Sequence, residues 1–117
     1  MRIAPLVSLL VLLSTPAFAG PLENGVQAYN KADYATAMKI LEPLAQQGNA
    51  DAQYTVSLMY SKGLGTTQDS VKAYVLLDQM AKAGDTAAAD DRDALASGMK
   101  PEQLAEAKQK SADWKSK

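Results

Sequence analysis

Aspartates crowd one short stretch of this chain: Asp85, then Asp90, Asp91 and Asp93. A calcium loop of the EF-hand type would need spaced acidic ligands, a turn glycine and a closing glutamate in fixed order. That order is absent. The stretch reads instead as the solvated face of a helix near its N-terminus, where acidic side chains suit the helix dipole. Arg92, inside the stretch, falls near an apolar stripe and is expected to snorkel or to pair with a carboxylate.

The other candidate groups lead to no reaction. Paired carboxylates serve glycoside hydrolysis, but Glu23, Glu42, Glu102 and Glu106 sit in helical stretches without a cleft signal. Gly63-Leu64-Gly65 lacks the third glycine of a dinucleotide fingerprint, since Gln68 stands there, and no strand precedes it. The chain has no His and no Cys. Zinc and copper sites of ordinary type draw on those ligands, and triads with a His base or a Cys nucleophile need them. No catalytic site, cofactor or metal is therefore expected, and the chain reads as a non-enzyme.

Tyrosine is the functional group left to consider: Tyr29, Tyr34, Tyr54, Tyr60 and Tyr74. Tyr60 lies on an apolar stripe and reads as packing. Tyr54 points away from that stripe, with Leu58 and Ser61 beside it. Two readings stand: these three form a partner-binding anchor on an exposed face, or Tyr54 and Leu58 touch a neighbouring helix. Val75 reads as a lone apolar residue on a polar face.

The elements that carry these residues are helices. In residues 51–62, Ala52, Val56, Met59 and Tyr60 share one stripe at spacings of three and four. Asn49 stands at the N-cap position and Gly63 ends the run. Asp69 or Ser70 caps the next helix, to residue 83, with Ala73, Leu76, Leu77, Met80 and Ala81 as its stripe. Lys72, Asp78, Gln79 and Lys82 make its polar face, and Gly84 stops it. Residues 34–47 repeat this with Ala37, Ile40, Leu41, Leu44 and Ala45. Pro43 is expected to kink or loosen that helix. Residues 23–30 and 86–97 read as further helices, and Pro101 opens a last one. About six helices result, paired antiparallel.

These elements recur every 36 residues. Asp33 matches Asp69, Ala37 matches Ala73, Leu41 matches Leu77, Ala45 matches Ala81, Gly48 matches Gly84 and Ala52 matches Ala88. A fixed period of this length signals stacked helical units that bury their apolar faces on one another. Gly48-Asn49-Ala50-Asp51-Ala52-Gln53-Tyr54, Met59-Tyr60, Gly63-Leu64-Gly65, Asp69, Lys72-Ala73 and Ala81 to Gly84 together resemble a Sel-1-like repeat, a relative of the tetratricopeptide repeat. One complete unit spans residues 49–84, with partial units on both sides. The tail from Met99 to Ala107 also resembles the end of small exported bacterial members. Ser57 stands where the family prefers Gly, Thr66 replaces a Val, Leu76 an aromatic, and Lys100 a Thr or Ser cap. The resemblance implies an all-α fold, a short right-handed α-solenoid of antiparallel helix pairs. It also implies an adaptor or scaffold that binds protein.

The N-terminus adds a destination. Met1-Arg2, the apolar run from Ile3 to Leu13, Pro16, and Ala17-Phe18-Ala19 before Gly20 fit a cleavable export signal over residues 1–19. The apolar run is shorter than a membrane span needs. The mature domain would be residues 20–117, periplasmic or secreted, without a membrane span. It carries eleven basic against thirteen acidic side chains, so nothing marks it for nucleic acid. The expected partner is a protein or peptide of the cell envelope, bound by a monomer or weak homo-oligomer. The alternative reading is a small enzyme or enzyme inhibitor directed at the cell wall.

Overall fold

The computed structural model describes residues 20–115, so the export signal expected over residues 1–19 lies outside the described residues. Six helices follow one another: α1 (Pro21–Asn30), α2 (Tyr34–Gln46), α3 (Ala50–Lys62), α4 (Ser70–Lys82), α5 (Thr86–Ser97) and α6 (Pro101–Ala112). There is no strand among the described residues. No helix among them is long and apolar enough to cross a membrane.

Local chemistry sets these boundaries with the same period as the sequence. Four helices begin at an Asp or Asn whose side chain accepts the amide three residues on. Asp33 takes Thr36 N at 3.4 Å, Asn49 takes Ala52 N at 2.9 Å, Asp69 takes Lys72 N at 3.0 Å and Asp85 takes Ala88 N at 3.0 Å. Each satisfies an amide that the first helical turn leaves without a partner. Proline at the first position opens α1 and α6. Ahead of α6, the Lys100 side chain caps no helix amide, and Gln103 Oε1 accepts the Lys100 amide at 3.2 Å.

Helix ends close just as regularly. Asn49 N donates to Leu44 O and Asp85 N to Met80 O, both at 3.1 Å, across Gly48 (φ 95°) and Gly84 (φ 107°). This closure needs a left-handed residue, which glycine adopts without a Cβ clash. The turn after α1 uses the same bond, Asp33 N to Ala28 O at 2.8 Å, but places Ala32 at φ 63°. Gly65 answers a different need: a Cβ there would lie 2.5 Å from the Tyr34 carbonyl oxygen. Its bareness lets the α3–α4 loop rest on the start of α2.

Consecutive helices from α1 to α5 pack side by side. The stripes meet as the periodicity requires: Ala37, Leu41, Ala45, Ala52, Val56, Met59 and Ala73 are sealed from solvent. Alanines at four of these positions let backbones approach, and Leu41, Val56 and Met59 fill the space between. Gln53 is buried between α2 and α3, where its amide donates to Ala45 O at 3.3 Å, a helix-end carbonyl that also accepts the Gly48 amide at 3.0 Å. Ser57 is buried, and its hydroxyl is satisfied by donating to Tyr54 O at 2.6 Å. Helix α2 runs on past Pro43 to Gln46, and the Gln47 amide donates to Pro43 O at 3.1 Å. Proline's missing donor is thus confined to the last turns.

The C-terminal part departs from the expected pairing. Helix α6 packs chiefly on α4, beside α5. It brings Ala107 and Leu104 onto Val71 and Tyr74, together with Leu95 and Met99. Helix α4 is consequently covered nearly all round. Val75, expected to be a lone exposed residue, is only 6% exposed. Asp78, expected on a polar face, is 7% exposed, and Gln79 is half-buried. Ala81, placed on the core stripe, is also only half-buried, because it lies in the last turn.

Two substitutions test the closures in opposite directions. Ala32→Gly is expected to raise unfolding stability by about 0.5–1 kcal/mol, since it removes a left-handed alanine. Gly84→Ala, where a Cβ would meet nothing within 4 Å, is expected to lower it by about 1 kcal/mol through φ alone. Urea titrations followed by circular dichroism measure both. A destabilised Ala32→Gly would show that its conformation carries no strain.

Candidate functional site

Helix α3 stands between α1 and α5, and a groove runs along each of its flanks. Toward α1 the lining comes from Leu22, Glu23, Val26 and Gln27 with Asp51, Tyr54 and Thr55, around a volume of about 400 Å³. Toward α5 it comes from Tyr54, Ser57, Leu58 and Ser61 with Leu77, Asp91, Ala94 and Leu95, around about 370 Å³. Tyr54 lines both, so the grooves adjoin as one trough. Its side chain is the one large apolar residue that stands well out of the surface among the described residues, at 43% exposure.

The three residues singled out on α3 are thus brought together on one wall. Leu58 and Ser61 are half-buried toward α5. Ser61 Oγ donates back to Leu58 O at 3.0 Å, so this hydroxyl is spent within its own helix. Leu58 lies half-buried beside α5, while Tyr54 is exposed. Leu22 and Ala94 were not singled out, yet both line the trough. The repeat carried the signal, because Leu22, Leu58 and Ala94 stand 36 residues apart, as do Thr55 and Asp91.

A carboxylate behind the α5 side ties its helices together. Asp78 Oδ1 receives Arg92 Nη1 at 2.8 Å, which ties α4 to α5. Asp78 Oδ2 receives Lys82 Nζ at 3.0 Å and also the hydroxyl of Ser111, which ties in α6. Gln79 Nε2 donates to Ser111 Oγ at 2.8 Å and to Ser111 O at 3.1 Å. Arg92 Nε reaches Asp93 at 3.0 Å. Arg92 therefore pairs with carboxylates, one residue from Asp91 on the trough. Burial pushes the Asp78 carboxyl upward and is the largest single influence. The hydrogen bonds from Ser111, Lys82 and Arg92 together outweigh it and hold the group below its ordinary value. The bonds to Asp78 and Asp93 in turn raise Arg92.

The aspartate run thus divides its labour: Asp85 caps α5, Asp93 pairs with Arg92, and Asp90 and Asp91 are exposed. On the other side of α3 lies a smaller cavity of about 240 Å³, walled by Glu42, Tyr60, Lys72, Val75, Leu76 and Trp114 among others. Tyr60 OH donates to Glu42 Oε2 at 3.2 Å, and Lys72 Nζ lies 5.2 Å from the Tyr60 ring centroid. Burial first, then the Glu42 and Asp69 charges, push the Tyr60 phenol up to about 12. Tyr60 is accordingly a neutral packing residue with an anchored hydroxyl.

Comparison with known protein families, with curated proteins and with solved structures finds no match.

Removing the carboxylate should loosen α5 and α6 from α4. Asp78→Ala is expected to cost about 2 kcal/mol, between the values for exposed and for buried pairs. The sign with pH follows from the lowered folded-state value. The Asp78 contribution is fully present above the unfolded carboxylate's pKa of about 3.9 and is lost as pH falls through the lower folded value. The stability gap between the parent chain and Asp78→Ala should therefore stay constant at neutral pH and narrow only below about pH 4. Urea titrations across pH measure the gap, and a gap that persisted in strong acid would contradict this assignment.

Proposed function

We propose that this chain is an exported protein-binding module, an adaptor or scaffold built as a short right-handed α-solenoid of Sel-1-like helix pairs. The observation that carries the reading is Tyr54, exposed between two adjoining grooves on the face of α1, α3 and α5. A rigid aromatic ring above an apolar floor is the arrangement that anchors protein partners, because it offers much contact area for little lost side-chain freedom. The 36-residue recurrence of caps and helix closures supports the stacked-unit architecture. The Met1 to Ala19 pattern supports export, and hence an envelope or secreted partner.

In this reading Tyr54 and Leu58 meet the partner's apolar side chains, and Ser61 lies at the edge of the contact. Nothing is transformed: the preformed helices keep the ordering cost of association low. A photo-crosslinking amino acid in place of Tyr54 is expected to give one dominant covalent adduct with an envelope protein. The same group in place of Lys108, exposed on α6, is expected to give none. Equal adduct yields at the two positions, or no adduct at Tyr54, would remove this face from the function.

A further inference from the structure

Charge is divided unequally between the two sets of helices. Helices α1, α3 and α5, which form the trough, carry five carboxylates against Lys62 and Arg92. Arg92 is already committed to Asp78 and Asp93. Helices α2, α4 and α6 carry five lysines against four carboxylates. Glu23, Asp51 and Asp91 line the two grooves, and no Lys or Arg lines either. Among the described residues no basic side chain forms an ion pair with any of these three. The trough is therefore an apolar floor under a rim of one sign, a shape that concentrates field in a concave surface.

We infer that the occupant of the trough is a cationic amphipathic segment of a partner protein, with apolar side chains on one side and Lys or Arg on the other. This rests on the docking reading above and names its chemistry. The floor takes the apolar side, and the rim carboxylates meet the cations. An acidic segment would place like charges together, and a neutral one would leave the rim without countercharge. A second copy of this chain fits less well. Of its lysines on α2, α4 and α6, Lys72 lies on the Tyr60 ring, Lys82 on Asp78 and Lys110 on Glu106.

The test uses three labelled synthetic peptides and fluorescence anisotropy at low ionic strength. The first has leucines on one helical face and lysines on the other. The second has glutamate for every lysine, and the third has serine for every leucine. The first is expected to bind the purified chain about tenfold tighter than the second, as a few exposed ion pairs allow, and about tenfold tighter than the third, through the apolar surface that serine does not bury. Glu23→Gln/Asp51→Asn/Asp91→Asn, checked for helicity, is expected to lose that advantage, and Tyr54→Ala to weaken the first peptide several-fold. Equal binding of the lysine and glutamate peptides, or full affinity in the triple variant, overturns the cationic assignment. If Tyr54→Ala still loses binding in that case, the docking face itself stands. Equal binding of the serine peptide shows attraction to charge alone and also overturns it. If no peptide binds, a Tyr54 adduct decides whether only the cationic assignment falls or the docking reading with it. A dimer in light scattering that the triple variant dissolves would make a second copy the occupant and overturn the proposal.

Discussion

Asp78 holds a negative charge almost out of solvent, and that charge has to be met from several directions at once. Arg92 arrives from α5, Ser111 from α6 and Lys82 from the next turn of α4 itself. A buried carboxylate with fewer partners would cost more than it contributes. The demand therefore fixes two neighbours of α4 together. Helix α6 must lie close enough for Ser111 to reach, which covers Val75 and Tyr74. Trp114, just beyond α6, then packs against the core between α2 and α4. Helix α5 must lie close enough for Arg92, which positions Leu95 against Leu77 and Met80. The α5 wall of the trough is a consequence of this charge.

The N-terminal half uses no such device. There α1, α2 and α3 are joined through alanine contacts and a few hydrogen bonds such as Gln53 to Ala45 O. Tyr29 and Tyr34 meet edge to face, with ring centroids 5.4 Å apart, across the first turn. The two halves thus cohere by different physics, close approach of small side chains in one and satisfied charge in the other. Helix α3 belongs to both, since its inner stripe packs on α2 and α4 while its outer face separates the two grooves.

What could be read from the residues was what local chemistry decides. Asn49 and Asp69 signal helix starts because a cap acts over three residues, and the structure uses both, together with Asp33 and Asp85 at equivalent places. Ala37, Leu41, Val56, Met59 and Tyr60 announce their burial through periodicity within single helices. Tyr54 was legible because it points away from the apolar stripe of its own helix, with Leu58 and Ser61 beside it. Asp78 and Val75 were misread because periodicity reports which side of a helix is apolar and not how many neighbours surround it. Their burial depends on where α6 comes to rest, some 30 residues later in the chain, as the Gln79–Ser111 separation of 32 shows. Leu22 and Ala94 were within reach, since extending the 36-residue shift from Leu58 finds both.

The matched closures at Gly48 and Gly84 have an evolutionary meaning. The stretch from Asn49 to Gly84 begins with an Asx cap, ends with a left-handed glycine, and hands over to another Asx cap. Both of its junctions are chemically the same. A duplicated copy spliced in at either point would meet caps and closures already suited to it. The two junctions would therefore admit a further 36-residue stretch without new cap or closure chemistry. Gain or loss of a unit would alter the reach of the trough, and an added copy of Asp78 would need a partner of its own, since Arg92 and Ser111 meet only one.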